Sequence, residues 1–197
     1  NILNESIRTF NQQLLRLKEK KIRIGIYGKS GVGKSSILNF LLNKNLFKTD
    51  VINGSTKNIQ SEKWPFKHKT LRSIELLDSP GFDFCNNVSP QDQYSQINNS
   101  ELILFTVAGD LNRNEVDKIM YFIKNGKKII IVLNKTDLWN KNEQKEIINN
   151  IKSKIPKVLK IPVIINADNN LANYLKKIIT NYGDIFLSLN SLQLADK

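Results

Sequence analysis

The stretch Ile22-Arg23-Ile24-Gly25-Ile26-Tyr27-Gly28-Lys29-Ser30-Gly31-Val32-Gly33-Lys34-Ser35 decides the fold. Its first six residues alternate toward β-branched side chains and read as a strand. The next eight fit G-x-x-x-x-G-K-S, and a helix is expected from there to about Asn43. A strand that turns through glycines into a helix is the context that gives this pattern physical meaning. The glycines let successive N–H groups turn inward as an anion nest, and the helix N-terminus adds partial positive charge. Gly28, Lys29, Ser30, Gly31, Val32, Gly33, Lys34, Ser35 and Ser36 are therefore candidate binding residues for a phosphate chain. Lys34 would reach its β- and γ-phosphates, and the Ser35 hydroxyl would join the shell of a Mg²⁺ ion.

Working outward, Leu71 to Leu77, Leu102 to Val107, Lys128 to Leu133 and Pro162 to Ile165 read as strands. A helix from about Asn114 to Lys124 ends at Gly126, a plausible C′ glycine, and further helices flank the last strand. Strands alternating with helices predict a parallel sheet covered on both faces. Residues 1–21 read as an amphipathic helix with Ile7, Phe10, Leu14 and Leu17 on one face, and residues 44–58 as loop. After the main domain over residues 22–181, residues 182–197 carry a further helical stripe (Ile185, Phe186, Leu189, Leu192). Trp64, Phe66 and His68 are expected in an edge strand or hairpin and Trp139 in packing; Cys85 is assigned no role.

Two more motifs stand at strand ends, where ligands gather on a parallel sheet. Asp78-Ser79-Pro80-Gly81 would place the Asp78 carboxylate to hold Mg²⁺ through water and the Gly81 N–H to meet a γ-phosphate. Asn134-Lys135-Thr136-Asp137 suits base recognition. A fixed Asp137 carboxylate accepts from N1–H and N2–H₂ of guanine, with the Lys135 stem over the base. Adenine offers no such donor pair, at a penalty of about 1–3 kcal/mol.

Composition narrows the alternatives. The 197 residues carry a net charge of +12, from 25 Lys and only 5 Arg, alongside 26 Asn. Arg, not Lys, reads guanine edges and grips phosphate bidentately, so the charge reads as a solvated basic surface rather than a nucleic-acid site. One Cys, Cys85, excludes a disulfide framework and a cysteine-based metal site, and one His, His68, argues against a His-ligated metal or a His-centred hydrolase site. The longest apolar run, Ile129 to Leu133, is far too short to span a bilayer.

The three motifs, in this order on three strand ends, resemble the translation-factor-related GTPases over about Ile22 to Asn181. The Ile37-Leu38-Asn39 and Asp78-Ser79-Pro80-Gly81-Phe82-Asp83 stretches look like Era-like and septin/dynamin-adjacent members. Gly109-Asp110-Leu111-Asn112-Arg113-Asn114-Glu115 and Leu187 to Leu192 resemble an Era/HSR1-related group. The resemblance implies a Ras-like P-loop GTPase fold, an α/β/α three-layer arrangement with a mostly parallel sheet, and extra N- and C-terminal helices. It implies GTP/GDP and Mg²⁺ as ligands and GTP hydrolysis as the activity, with Lys34, Thr56 and Gly81 in catalytic roles. Thr56, with Thr49 as its rival, is the expected switch threonine and a metal ligand beside Ser35 and Asp78. Ala167, in Asn166-Ala167-Asp168, is the expected backbone contact to guanine.

The same resemblance leads us to expect a cytoplasmic switch, the G domain of a longer protein peripheral to a membrane through a C-terminal region. Rivals are an assembly GTPase whose output is a homodimer or membrane association, a ribosome-assembly factor, and a nucleotide-binding module without useful hydrolysis. Ras-like enzymes place a water-orienting Gln where this chain has Phe82. Slow intrinsic turnover, or completion by an activating protein or second copy, is therefore expected. Relatives activated by potassium carry Asn where this chain has Gly31, a departure that argues against potassium activation. Asp83 and Lys29 are the nearest polar candidates for an auxiliary role, although loops at such sites hold many charges with no catalytic part and solvated side chains are the expectation.

Overall fold

The computed structural model describes residues 11, 15, 20–47, 60–83, 100–166 and 169–181. Six strands form one sheet: β1 (Lys21–Tyr27), β2 (Gln60–Lys63), β3 (Ser73–Asp78), β4 (Leu102–Val107), β5 (Lys128–Leu133) and β6 (Val163–Ile165). Their order across the sheet is β2-β3-β1-β4-β5-β6. All neighbouring pairs are parallel except β2 with β3. The helices are α1 (Lys34–Leu42), α2 (Arg113–Lys124), α3 (Lys141–Ser153) and α4 (170–181).

The two-residue period of the strands sorts the core into two layers. Leu102, Leu104, Ile130 and Val132 join Ile22, Ile24 and Ile26 on one face, under Ile37, Leu38 and Leu41 of α1 and Leu171, Leu175 and Ile179 of α4. Ile103, Phe105, Val107, Ile129, Ile131 and Leu133 point the other way, against Ile119 and Phe122 of α2 and Ile151 of α3. The result is the three-layer α/β/α arrangement expected of strands that read as apolar runs.

Element starts follow local chemistry. The side chain of Asn112 accepts from the Glu115 N–H while Glu115 accepts from the Asn112 N–H, both at 2.9 Å, a reciprocal cap that starts α2 at Arg113. Gly126 adopts φ 72° after α2, and its N–H donates to the Ile123 carbonyl. The expected edge hairpin is present: β2 pairs antiparallel with β3, and the Trp64 N–H extends the pairing by donating to the Ile74 carbonyl at 2.8 Å. Trp64 is buried, with its indole N–H donating to the Leu41 carbonyl at 2.9 Å and its ring beside Phe66. A large apolar ring gains more from burial than an exposed edge could give it. His68 Nδ1 accepts the N–H groups of Thr70 and Leu71 and so closes a turn. Trp139 is partly buried against the second layer, as expected. The expected helices over 1–21 and 182–197 lie, apart from residues 11, 15, 20 and 21, outside the described residues. No helix among the described residues is long and apolar enough to cross a membrane.

Leu104 is wholly buried, whereas Val158 is 82% exposed. Urea unfolding is expected to show Leu104→Ala losing about 2–5 kcal/mol. Val158→Ala should change stability by less than about 0.5 kcal/mol.

Candidate functional site

The chain leaves β1 at Tyr27 with β3 on one side and β4 on the other. From β1 the chain builds β2 and β3 on one side and then crosses to β4 on the other, so the strand order reverses at β1, the place where ligands gather beyond the carboxyl ends of such strands. Gly28 follows β1, Asp78 ends β3, Asn134 follows β5 and Asn166 follows β6. The three motifs are thus brought to one edge of the sheet.

The phosphate loop enters α1 through Gly33, which sits at φ 91°, ψ 28° and supplies no side-chain cap. No acidic residue stands in the first turn of α1, so its leading N–H groups and partial positive charge are kept for an anion. Lys34 is buried, with its ammonium donating to the Lys29 carbonyl at 2.7 Å. Burial lowers its pKa from the ordinary value, and the negative charges of Asp78 and then Asp83 work in the opposite direction. A cation held in a poorly hydrated loop attracts an anion more strongly than one in open water.

Asp78 is fully buried, and its Oδ2 accepts the Ser35 hydroxyl at 2.6 Å. The Ser79 hydroxyl donates to the Ile26 carbonyl at 2.6 Å and fixes the turn to the end of β1. Ser35 and Asp78 offer hard oxygen donors at one point. No cluster of three His, Cys, Asp or Glu side chains occurs among the described residues. That donor set fits Mg²⁺, which binds through one or two protein oxygens and takes phosphate and water for the rest.

Asn134 ties the base motif to the phosphate loop. Its amide donates to the Val32 carbonyl at 2.8 Å, and its Oδ1 accepts the Asn166 amide at 2.9 Å. Its Nδ2 lies 2.3 Å from where a Cβ on Gly33 would stand. Lys135 adopts φ 55°, and Thr136–Leu138 form a single 3₁₀ turn that leaves Asp137 exposed. Gln144 of α3 supports that turn from below, donating to the Thr136 and Trp139 carbonyls at 2.9 and 3.0 Å.

Thr49, Thr56, Cys85 and Ala167 lie outside the described residues. Phe82 has its ring buried in the second layer, stacked on Tyr27 with centroids 5.4 Å apart. Two expectations are corrected: neither Lys29 nor Asp83 is merely solvated. The Lys29 ammonium pairs with the buried Glu115 carboxylate at 3.5 Å, and Asp83 Oδ1 accepts the Ser30 N–H at 2.7 Å. Burial of Glu115 makes its charge seek a cation, and a loop amide without a backbone partner in the sheet or a helix finds its acceptor in Asp83. Sequence reading missed the roles of Asn166, Gln144 and Glu115. Only Glu115 left a signal, the Asn-x-x-Glu spacing of a capping box.

Gly33→Ala is expected to destabilise the fold by about 1–2 kcal/mol through φ alone. The clash with Asn134 adds to that cost. Chemical unfolding of Gly33→Ala, Asn134→Ala and the double variant should show the clash as a coupling term between the two sites.

Comparison with known proteins agrees with this geometry. Residues 23–135 match the family described as 50S ribosome-binding GTPase. The tRNA modification GTPase MnmE of Thermoanaerobacter sp. (strain X514) is 31% identical over 136 residues, which are 67% of this chain and 29% of that protein. GTPase Der of Orientia tsutsugamushi (strain Boryong) is 26% identical over 187 residues, 88% of this chain and 39% of its own length. The chain thus spans about a third of these curated relatives. Among solved structures, Aquifex aeolicus Era bound to GDP·AlF₄⁻ superposes with a TM-score of 0.66 at 24% identity, covering 82% of this chain and 56% of that one. A dimerisation-deficient mutant of Toc33 from Arabidopsis thaliana gives a TM-score of 0.57 at 14% identity and covers 91% of both chains. With its phosphate loop, acidic strand end and base motif gathered on a Ras-like sheet, the chain belongs to the 50S ribosome-binding GTPase family and is a G domain of the Era, MnmE and Der type.

Proposed function

We propose that the chain binds GTP with Mg²⁺ and hydrolyses it slowly, as a molecular switch. The observation that carries this reading is the Asn134 brace, which joins the base motif to the phosphate loop in one continuous site. Lys34, the loop amides and the first turn of α1 would bind the phosphate chain. Asp137 would select guanine, with Lys135 over the base and the Ala167 backbone beside it. Ser35 and Asp78, joined by a hydrogen bond, are the groups that would hold Mg²⁺, with Thr56 added in the triphosphate state. When bound, the ion neutralises charge that develops on the phosphates. Thr56 and the Gly81 N–H would meet the γ-phosphate and release it after hydrolysis, which orders and frees the two switch segments in turn.

Asp137→Asn is expected to weaken GTP by roughly 5- to 150-fold, the equivalent of about 1–3 kcal/mol, and to favour xanthosine triphosphate. Lys34→Ala should abolish binding of either nucleotide. Equilibrium titration with fluorescent guanine and xanthine nucleotides checks both, and an unchanged preference for guanine in Asp137→Asn overturns the base assignment.

The packing of Phe82 into the aromatic cluster favours a second element of this reading. The position after Gly81 does not present a water-orienting group, so turnover of the isolated chain is expected at roughly 10⁻⁴ to 10⁻³ s⁻¹. A group from a second copy or from an activating protein would complete the site. Turnover per molecule measured against protein concentration separates these: a rising value assigns completion to a second copy, and a flat, slow value to another protein. A flat value near 1 s⁻¹ contradicts the proposal of slow turnover.

A further inference from the structure

The turn that follows β3 lies against the phosphate loop through three contacts. Phe82 is the anchor, stacked on Tyr27 at an interplanar angle of 19°, with the Lys118 ammonium 4.8 Å from the ring centroid. The Phe82 N–H donates to the Gly28 carbonyl at 3.4 Å. Gly81 touches Ser30 so closely that a Cβ there would stand 2.1 Å from Ser30 Oγ and 2.5 Å from its nitrogen. Only glycine permits that approach. With the backbone held at 81 and 82, the Asp83 carboxylate reaches the loop and accepts the Ser30 N–H at 2.7 Å.

On the phosphate-loop reading the Ser30 amide would be one of the N–H groups that a phosphate oxygen seeks, and a carboxylate oxygen offers it the same chemistry. The Asp83 charge is also felt at Lys34. Lys34 would reach both the β- and the γ-phosphate, whereas Ser30 lies against Gly81, the residue that the reading above places at the γ-phosphate alone. We propose that Asp83 is a specificity-determining residue that competes with the γ-phosphate for the Ser30 N–H and thereby biases the site toward diphosphate over triphosphate. A diphosphate leaves the Asp83–Ser30 contact in place, and a triphosphate must displace it. The proposal rests on the guanine-nucleotide reading above.

The test uses the 197-residue chain with Mg²⁺ present. GDP and a non-hydrolysable GTP analogue are titrated calorimetrically into wild type, Asp83→Asn and Asp83→Ser. Asp117→Asn, an exposed carboxylate on α2, serves as the charge-matched control. Both Asp83 variants are expected to tighten the triphosphate analogue about tenfold, the scale of a lost charge-assisted hydrogen bond, with GDP within about twofold of wild type. Asp117→Asn should leave the ratio of the two affinities unchanged. If the Asp83 variants tighten both nucleotides equally, or match the control, or weaken the triphosphate, the competition is overturned while the guanine-nucleotide reading stands. If wild type binds neither nucleotide, that reading falls and takes this proposal with it.

Discussion

β1 is paired on both edges and buried on both faces, and every group that could carry chemistry is placed by where it ends. Ile22, Ile24 and Ile26 are at most 2% exposed, and parallel neighbours on each side fix the register of the strand. A strand so held cannot slide, because a shift of one residue would turn three isoleucines out of the core. Its last residue, Tyr27, is buried among Phe82, Phe105 and Phe122. The phosphate loop therefore starts from a fixed point and enters α1, whose own apolar face is packed on the same sheet. Rigid elements at both ends are what allow a short glycine-rich loop to keep one geometry.

The other strand ends are keyed to that point by a few polar contacts, added for β3 to the stacking of Phe82 on Tyr27. Ser79 reaches the Ile26 carbonyl, Ser35 reaches Asp78, and Asn134 reaches Val32. The last two join one motif to another, and the first ties the acidic motif to the end of β1. The same hydrogen bonds that would present the phosphate, metal and base groups also set their spacing, so binding geometry and local stability share their determinants.

Much of this was legible in the sequence because the signals are local. The runs Leu102 to Val107 and Lys128 to Leu133 are apolar enough to be read as fully covered strands, and the observed bounds coincide with the reading. The glycine loop between a strand and a helix carried its own context. What could not be read depends on contacts between residues distant in the chain. The hairpin at Trp64 was legible, but the partner of its indole N–H, the Leu41 carbonyl of α1, was not. Asn166 looked like a flank of the expected Ala167 contact, yet it braces Asn134 across two strands. Asp83 and Lys29 stood out only as polar neighbours of the site, since pairing with Ser30 and Glu115 follows from the fold and not from spacing.

Glu115 faces two ways at once. One oxygen closes the first turn of α2 on the Asn112 N–H, and the other lies 3.5 Å from the Lys29 ammonium, with the side chain only 5% exposed. A carboxylate that is desolvated to this extent depends on its cation. The second residue of the phosphate loop is thereby linked in free energy to the opening turn of a helix in the layer opposite α1. By reciprocity, whatever repositions the Lys29 ammonium must loosen or tighten the start of α2 by the same amount that a change in α2 would return to the loop. One ion pair thus ties the phosphate loop to the first turn of α2.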